Sequence, residues 1–189
     1  MARAFTAKKS NAGKGIKCGR CNATIVPGET YYYFSVGFRG SKSYRCKLHR
    51  PKQSELCGNK MSGAYAANEG LEAEINDPEA TVSSIASALE SAASDIESVR
   101  DEYQDSFDSL PQGFQDGDTG SDIQEKIDGL TEYAEALAEK ASEVSSLEAE
   151  LTDADTDPDA NPEADPTGNE DLLQQARDLA DEVLGEFSL

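Results

Sequence analysis

Cys18-Gly19-Arg20-Cys21 and, after twenty-four intervening residues, Cys46-Lys47-Leu48-His49 together hold three of the four cysteines and the single histidine of the chain. Two soft ligands two residues apart can face one metal ion from a single tight turn, and a second such pair across a loop completes a tetrahedron. A thiolate-rich set without a neighbouring carboxylate favours zinc over magnesium or calcium. Four protein ligands leave no coordination position open for water or substrate. The spacing therefore predicts a structural Zn2+ held by Cys18, Cys21, Cys46 and His49, against the plainer alternatives of free thiols or a disulfide. Cys57 is the alternative fourth ligand, on the first turn of a helix that Ser54 is placed to cap. His49 is preferred because it repeats the spacing of the first pair. Cys57 then becomes a small buried or spare thiol, with no second cysteine at C-x-x-C distance to make a redox pair.

Between the two pairs the sequence writes a β-hairpin. Ile25-Val26-Pro27-Gly28 sets Pro and Gly at the centre of a type II turn. Glu29 to Phe38 is aromatic and β-branched, hence a strand, and Ser43-Tyr44-Arg45 returns as its partner after the turn Arg39-Gly40-Ser41-Lys42. Alternation assigns Tyr32, Phe34, Val36 and Phe38 to a core face and Tyr31, Tyr33 and Ser35 to the other. Tyr31 and Tyr33 either cover the hairpin with their hydroxyls wet or stack on unpaired bases. Knuckle, hairpin, knuckle and helix follow the general plan of zinc-ribbon and treble-clef modules.

Charge divides the chain sharply. Residues 1–60 contain thirteen of the seventeen Lys/Arg and two of the thirty-seven Asp/Glu, a net charge of +11. The remainder carries four basic and thirty-five acidic residues, a net charge of −31. A basic head on an acidic body fits a head that meets polyanions, with Arg20, Arg39, Lys42, Arg45, Lys47, Arg50 and Lys52 as the nucleic-acid-binding candidates. The acidity also fits a halophilic origin. Apolar residues make up 37% and aromatics 7% of the 189 residues, without tryptophan, which suits helices that bury one stripe better than one large core. No apolar run is long enough to span a bilayer and no apolar signal core opens the chain, so a cytoplasmic location is expected, with thiols reduced and free for metal.

The expected organisation follows in order. Residues 1–17 are a disordered basic arm carrying Arg3, Lys8, Lys9, Lys14 and Lys17. Residues 18–75 are the zinc-binding head and its following helix, and Asp77-Pro78 restarts the chain as a helix with Asp77 as N-cap. Residues 76–151 form an antiparallel coiled-coil hairpin. Its first stripe is Val82, Ile85, Leu89, Ala92, Ile96, Val99, Tyr103 and Leu110. Its second, after the breaker 111–120 and a cap at Ser121 or Asp122, is Ile123, Ile127, Leu130, Ala134, Leu137, Ala141, Val144 and Leu151. Residues 152–168 are an acidic disordered linker. Residues 169–189 form an amphipathic helix that either docks on a partner or folds back on its own hairpin. The fold class is α+β, mostly α.

The run CGRCNATIVPGETYYYFSVGFRGSKSYRCKLHRPKQSEL, followed by KMSGAYAANE and VRDEYQDSFDSLPQGFQDGDTG, resembles a group of small zinc-finger and coiled-coil proteins encoded mainly by phages and other mobile elements. The resemblance spans roughly residues 15 to 150 and implies an origin, with the host cytoplasm as location, and an architecture. The head alone is similar to the zinc fingers of poly(ADP-ribose) polymerases, which recognise DNA breaks. There the second pair runs His then Cys, whereas here Cys46 precedes His49.

Enzymatic chemistry finds no support. With His49 on the metal no free histidine is left, no Ser/His/Asp set assembles, and no Gly-rich phosphate loop is present. Two functions are then expected: a zinc-stabilised module that binds DNA or RNA through the basic head, or an adaptor whose helices bind a protein partner or self-associate.

Overall fold

Antiparallel pairing in the first third of the chain and helix packing in the remainder divide the molecule into two compact units, Met1–Ala66 and Ala67–Leu189. The computed structural model describes residues 5–8, 15–26, 28–36, 41–154 and 167–187. Arg3, Lys9, Lys14, Pro27, Phe38, Arg39 and the linker stretch 155–166 lie outside the described residues, and so do the expectations attached to them.

The first unit is built on five short strands: β1 (Phe5–Lys8), β2 (Ile16–Lys17), β3 (Thr24–Ile25), β4 (Thr30–Phe34) and β5 (Ser43–Cys46). A three-stranded sheet has the order β1-β4-β5, and β2 pairs with β3 in a separate two-stranded ladder. The aromatic hairpin expected from residues 29–45 is thus present as β4 and β5, in the register Tyr31↔Cys46, Tyr33↔Tyr44. The expected wholly disordered arm requires correction. Phe5–Lys8 adds to the free edge of β4, with Ala7 opposite Tyr31, because an edge strand offers unpaired N–H and C=O groups to any extended segment nearby. Of the expected core face only Phe34 is fully buried; Tyr32 and Val36 are half-buried. The Val26 carbonyl accepts from Glu29 N–H (3.2 Å) with Gly28 at φ +89°, as a type II turn requires.

The expected continuous helix from Ser54 breaks in two. Helix α1 (Gln53–Leu56) starts after Lys52, not Ser54: Glu55 turns its carboxylate back onto Lys52 N–H (3.0 Å) and satisfies the end of the helix. Gly58 and Asn59 interrupt it, and Asn59 Oδ1 then accepts from Met61 N–H (3.1 Å) where α2 (Met61–Ile75) begins. The boundary between units falls inside α2 rather than after residue 75, since Asn68 belongs to the helical unit and accepts a hydrogen bond from the Tyr133 hydroxyl (2.8 Å).

In the second unit, α3 (Val82–Asp108) and α5 (Asp118–Ala154) make the principal contact, joined by the short α4 (Gln112–Gln115). The cap of α3 is Thr81, not Asp77. Thr81 Oγ1 accepts from Ser84 N–H and Ser84 Oγ from Thr81 N–H, a reciprocal pair that satisfies two end donors, while Asp77 to Ala80 forms a separate turn. The seam buries Ile85, Leu89 and Ile96 on α3 and Leu130, Leu137 and Val144 on α5, each at 0% exposure. Each such side chain contributes about 1.5–3 kcal/mol relative to exposure. Leu110 and Ile123, at the loop end, are only half-buried. Helix α5 begins at Asp118, ahead of the expected cap, and its first turn approaches Gln115 so closely that a Cβ on Gly120 would overlap the Gln115 carbonyl. The Gln115 amide in turn donates to the carbonyls of Phe107 and Leu110 (3.0 Å each), closing the C-terminal end of α3.

Helix α6 (Thr167–Glu186) folds back and packs on both α5 and α3. Ala176, Ala180 and Val183 are buried, the Phe187 and Tyr133 rings lie 4.9 Å apart, Lys140 meets Glu182 (3.4 Å), and Arg177 Nη2 donates to the Asp77 carbonyl (2.9 Å). Phe187 covers Tyr133, and Ala86, Ala93 and Tyr133 are buried in addition to the two-helix seam. None of the described helices is long and apolar enough to cross a membrane.

Candidate metal centre

Both candidate ligand pairs sit on turns that main-chain hydrogen bonds hold in shape. Cys18 N–H donates to Ala23 O and Asn22 N–H to Cys18 O, both 2.9 Å, so the first pair is pinned at each end of one loop. Asn22 adopts φ +56°, the left-handed conformation that asparagine tolerates better than most residues, and this turns the chain back toward β3. His49 N–H donates to Cys46 O (3.0 Å) to form the second turn. Gly19 N–H donates to Tyr44 O (2.9 Å), which ties the first turn to β5 two residues before Cys46.

These turns bring Cys18 Sγ, Cys21 Sγ, Cys46 Sγ and His49 Nδ1 within 4.8 Å of one another. Cys46 Sγ lies 3.3 Å and Cys18 Sγ 3.7 Å from His49 Nδ1, with Cys21 Sγ 4.0 Å from Cys46 Sγ. A tetrahedral zinc with sulfur at about 2.3 Å and nitrogen at about 2.0–2.1 Å spaces its donors about 3.5–3.8 Å apart, so the group is close to the size that such an ion needs. All four cysteines are free and no disulfide competes.

The electrostatics also fit a cation. Burial raises the pKa of Cys18, but the N–H groups of Cys21, Cys46 and Arg20, together with the His49 ring, outweigh it and bring the thiol to about 5. At Cys21 the N–H of Ala23 favours the thiolate, yet desolvation and the sulfurs of Cys18 and Cys46 push its pKa up. One thiolate forms readily and its neighbour resists, because negative charges crowded at this distance repel; a divalent cation at the centre removes that conflict.

Cys57 stands apart. It is buried and its thiol donates to Asn59 Oδ1 (2.8 Å), and the group that converges includes His49 in its place.

Of the basic candidates, Arg20, Lys42, Lys47 and Arg50 are exposed, and Lys52 is half-buried at the start of α1. Arg39 lies outside the described residues. Arg45 leaves the phosphate-binding set. Its guanidinium pairs with Glu55, donates to Tyr44 O (2.9 Å) and lies over the Phe34 ring, with its side chain only 12% exposed. Burial would raise the Glu55 pKa, but the Arg45 hydrogen bonds and Lys52 N–H hold the carboxyl below its usual range. The register explains the arrangement: Arg45 is opposite Tyr32 and shares a face with Phe34, whereas Tyr44 shares the other face with Tyr31 and Tyr33.

Sequence reasoning missed Gly19 and Tyr44. A Cβ on Gly19 would stand 2.5 Å from Arg45 Nη1, so the small residue is what lets the first turn meet the guanidinium. Tyr44 brings its ring to 6.1 Å from that of Tyr31. The alternation signal that placed Tyr31 and Tyr33 also covers Tyr44 once the pairing register is known.

Comparison with protein-family models, curated proteins and solved structures returned no match.

Proposed function

We propose that the first unit is a zinc-stapled module of zinc-ribbon or treble-clef type that binds nucleic acid through its phosphates, carried on an antiparallel coiled-coil body and performing no catalysis of its own. Bound zinc would hold the two turns together as a structural cross-link, with Cys18, Cys21, Cys46 and His49 as its ligands. A phage or mobile-element origin belongs to the same proposal.

The observation that carries this reading is the distribution of charge around the four ligands. Arg20 and Lys47 lie inside the two turns, and Lys42 and Arg50 flank them, all exposed. The only two carboxylates of the unit are engaged: Glu55 with Arg45, and Glu29 Oε2 as acceptor from Val26 N–H (2.9 Å). Arg20, Lys42, Lys47 and Arg50 are thus exposed and outside any direct ion pair with the two carboxylates, with Arg20 in the field of Glu55, in a unit whose net charge is +11.

Gel shifts of the zinc-loaded full chain with DNA and RNA test the reading. Four phosphate contacts predict an affinity loss of about 10²-fold between 50 and 200 mM salt on duplex DNA. Combined Arg20→Gln, Lys42→Gln, Lys47→Gln and Arg50→Gln substitutions should abolish the salt dependence while zinc content stays at one ion per chain. Absence of salt-sensitive retention on either nucleic acid overturns the proposal.

One observation favours the adaptor as a second reading. A groove of about 540 Å³ runs between α3 and α5, floored by Ala93, Ala134, Ala138 and Ala141 and rimmed by Glu90, Glu97 and Glu135. Its chemistry suits a basic amphipathic segment. Ala138→Glu should then abolish capture of a protein partner without changing nucleic-acid binding.

A further inference from the structure

We propose that Tyr31, Tyr33 and Tyr44 form a base-stacking face for single-stranded nucleic acid, with Lys42 supplying the adjacent phosphate contact. The inference rests on the nucleic-acid reading above and narrows it to unpaired strands.

The sheet has two chemically different faces. On one, Phe34 is buried beneath Arg45, whose charge is engaged by Glu55. On the other, Tyr33 and Tyr44 stand directly across the β4–β5 ladder and Tyr31 follows two residues along β4. Their rings form a continuous row, with Tyr31 6.3 Å from Tyr33 and 6.1 Å from Tyr44, tilted by 46° and 52°. None of the three is fully buried as a core aromatic would be; each keeps part of its surface open to solvent, as Tyr32 does on the opposite face. Lys42, exposed, places Nζ 5.6 Å from the centre of the Tyr33 ring.

Three tilted rings beside a mobile-stemmed ammonium offer two kinds of contact at one spacing: an aromatic surface for a base and a cation for the phosphate attached to it. A cationic ligand such as an alkylated lysine is disfavoured, since Lys42 already lies over one ring and the unit carries +11. An acidic peptide would engage the lysines and arginines and leave the rings without a purpose. A duplex presents its phosphates but keeps the faces of its bases stacked, so it can use the cations and not the rings. Only an unpaired strand satisfies both halves of the surface.

The test measures binding of the zinc-loaded full chain to a labelled dodecamer of single-stranded DNA, the same sequence in RNA, the matching DNA duplex, and polyglutamate. The absence of tryptophan leaves tyrosine as the intrinsic emitter, so stacking reads out directly as tyrosine quenching. Single strands should quench and bind at least tenfold more tightly than duplex or polyglutamate. Tyr33→Ala and Tyr44→Ala should each weaken single-strand binding about tenfold, leave the slope against salt unchanged and leave duplex binding unchanged; Tyr33→Phe and Tyr44→Phe should bind as the parent does. Lys42→Gln should reduce the slope by about 0.7, the value for one phosphate on a single strand. Zinc content and circular dichroism identify any alanine variant that misfolds, and wild-type quenching together with the phenylalanine variants then decides alone. Equal, salt-sensitive binding of single strand and duplex without quenching overturns the stacking face and leaves the phosphate-binding module intact. Polyglutamate bound as tightly as single strands also overturns it. Loss of all nucleic-acid binding overturns both.

Discussion

Met1–Ala66 and Ala67–Leu189 carry opposite charge and are held by different forces. Among its described residues the first unit buries few large apolar side chains, Ile25 and Phe34 foremost, and two short turns converge on three sulfurs and one imidazole nitrogen. The second has no such cross-link among its described residues and relies on a seam of Leu, Ile, Val and Ala closed by a third helix. A small domain whose core is too thin to offset chain entropy needs a cross-link, whereas three packed helices do not. The comparison predicts that each unit can be broken without breaking the other.

With zinc bound as proposed, the largest effect should come from the four-ligand group. Chelation, or Cys18→Ser, should remove about 10–16 kcal/mol of binding free energy from the first unit. Zinc stoichiometry should fall to zero and the tyrosine near-ultraviolet signal should collapse, while helical ellipticity persists; a parallel loss of helix would show that the units depend on one another. Acid should act the same way. The folded Cys18 thiol titrates at about 5 against an ordinary value of 9.0. Between those values the unfolded state binds the extra proton, so stability rises with pH and is lost as pH falls toward 5. Stability of the first unit, followed with the metal absent across that range, checks the sign, and protons competing for the thiolates should weaken zinc binding in the same direction.

The converse break is Leu137→Ala. Its side chain is fully buried in the seam, and truncation should cost about 2–5 kcal/mol, read by urea denaturation monitored at 222 nm, with zinc content unchanged. A smaller loss, about 1–3 kcal/mol, is expected for Gly120→Ala, because the added methyl must displace the Gln115 carbonyl at the entry to α5. Smallest of these is Thr81→Ala, which removes the side-chain acceptor from the start of α3 and should cost about 1 kcal/mol in the same assay.

The two units were unequally legible. The helical seam reads from the sequence because Val82, Ile85, Leu89 and Ile96 repeat at a period that only a helix can place on one face. The grouping of Cys18, Cys21, Cys46 and His49 reads from spacing for a similar reason: pairs two residues apart are local geometry. Helix starts were less legible. Asp77-Pro78 is a strong local signal, yet Thr81 wins because its reciprocal bonds with Ser84 satisfy two donors at once. Arg45 was unreadable, since its role depends on a carboxylate ten residues away and a ring across the ladder.

What the sequence alone determined is local: the mostly helical α+β class, the hydrophobic stripes, the division of charge, and the two ligand pairs. Each of these depends on residues within a few positions of one another, where backbone geometry fixes the outcome. The tertiary structure decided what depends on pairing between distant segments: β1 on the edge of β4, Tyr44 beside Tyr31 and Tyr33, Arg45 withdrawn onto Glu55, and α6 laid across α3 and α5. Strand register and helix docking are set by which surfaces bury one another, and a one-dimensional pattern records which face is apolar without recording what will cover it.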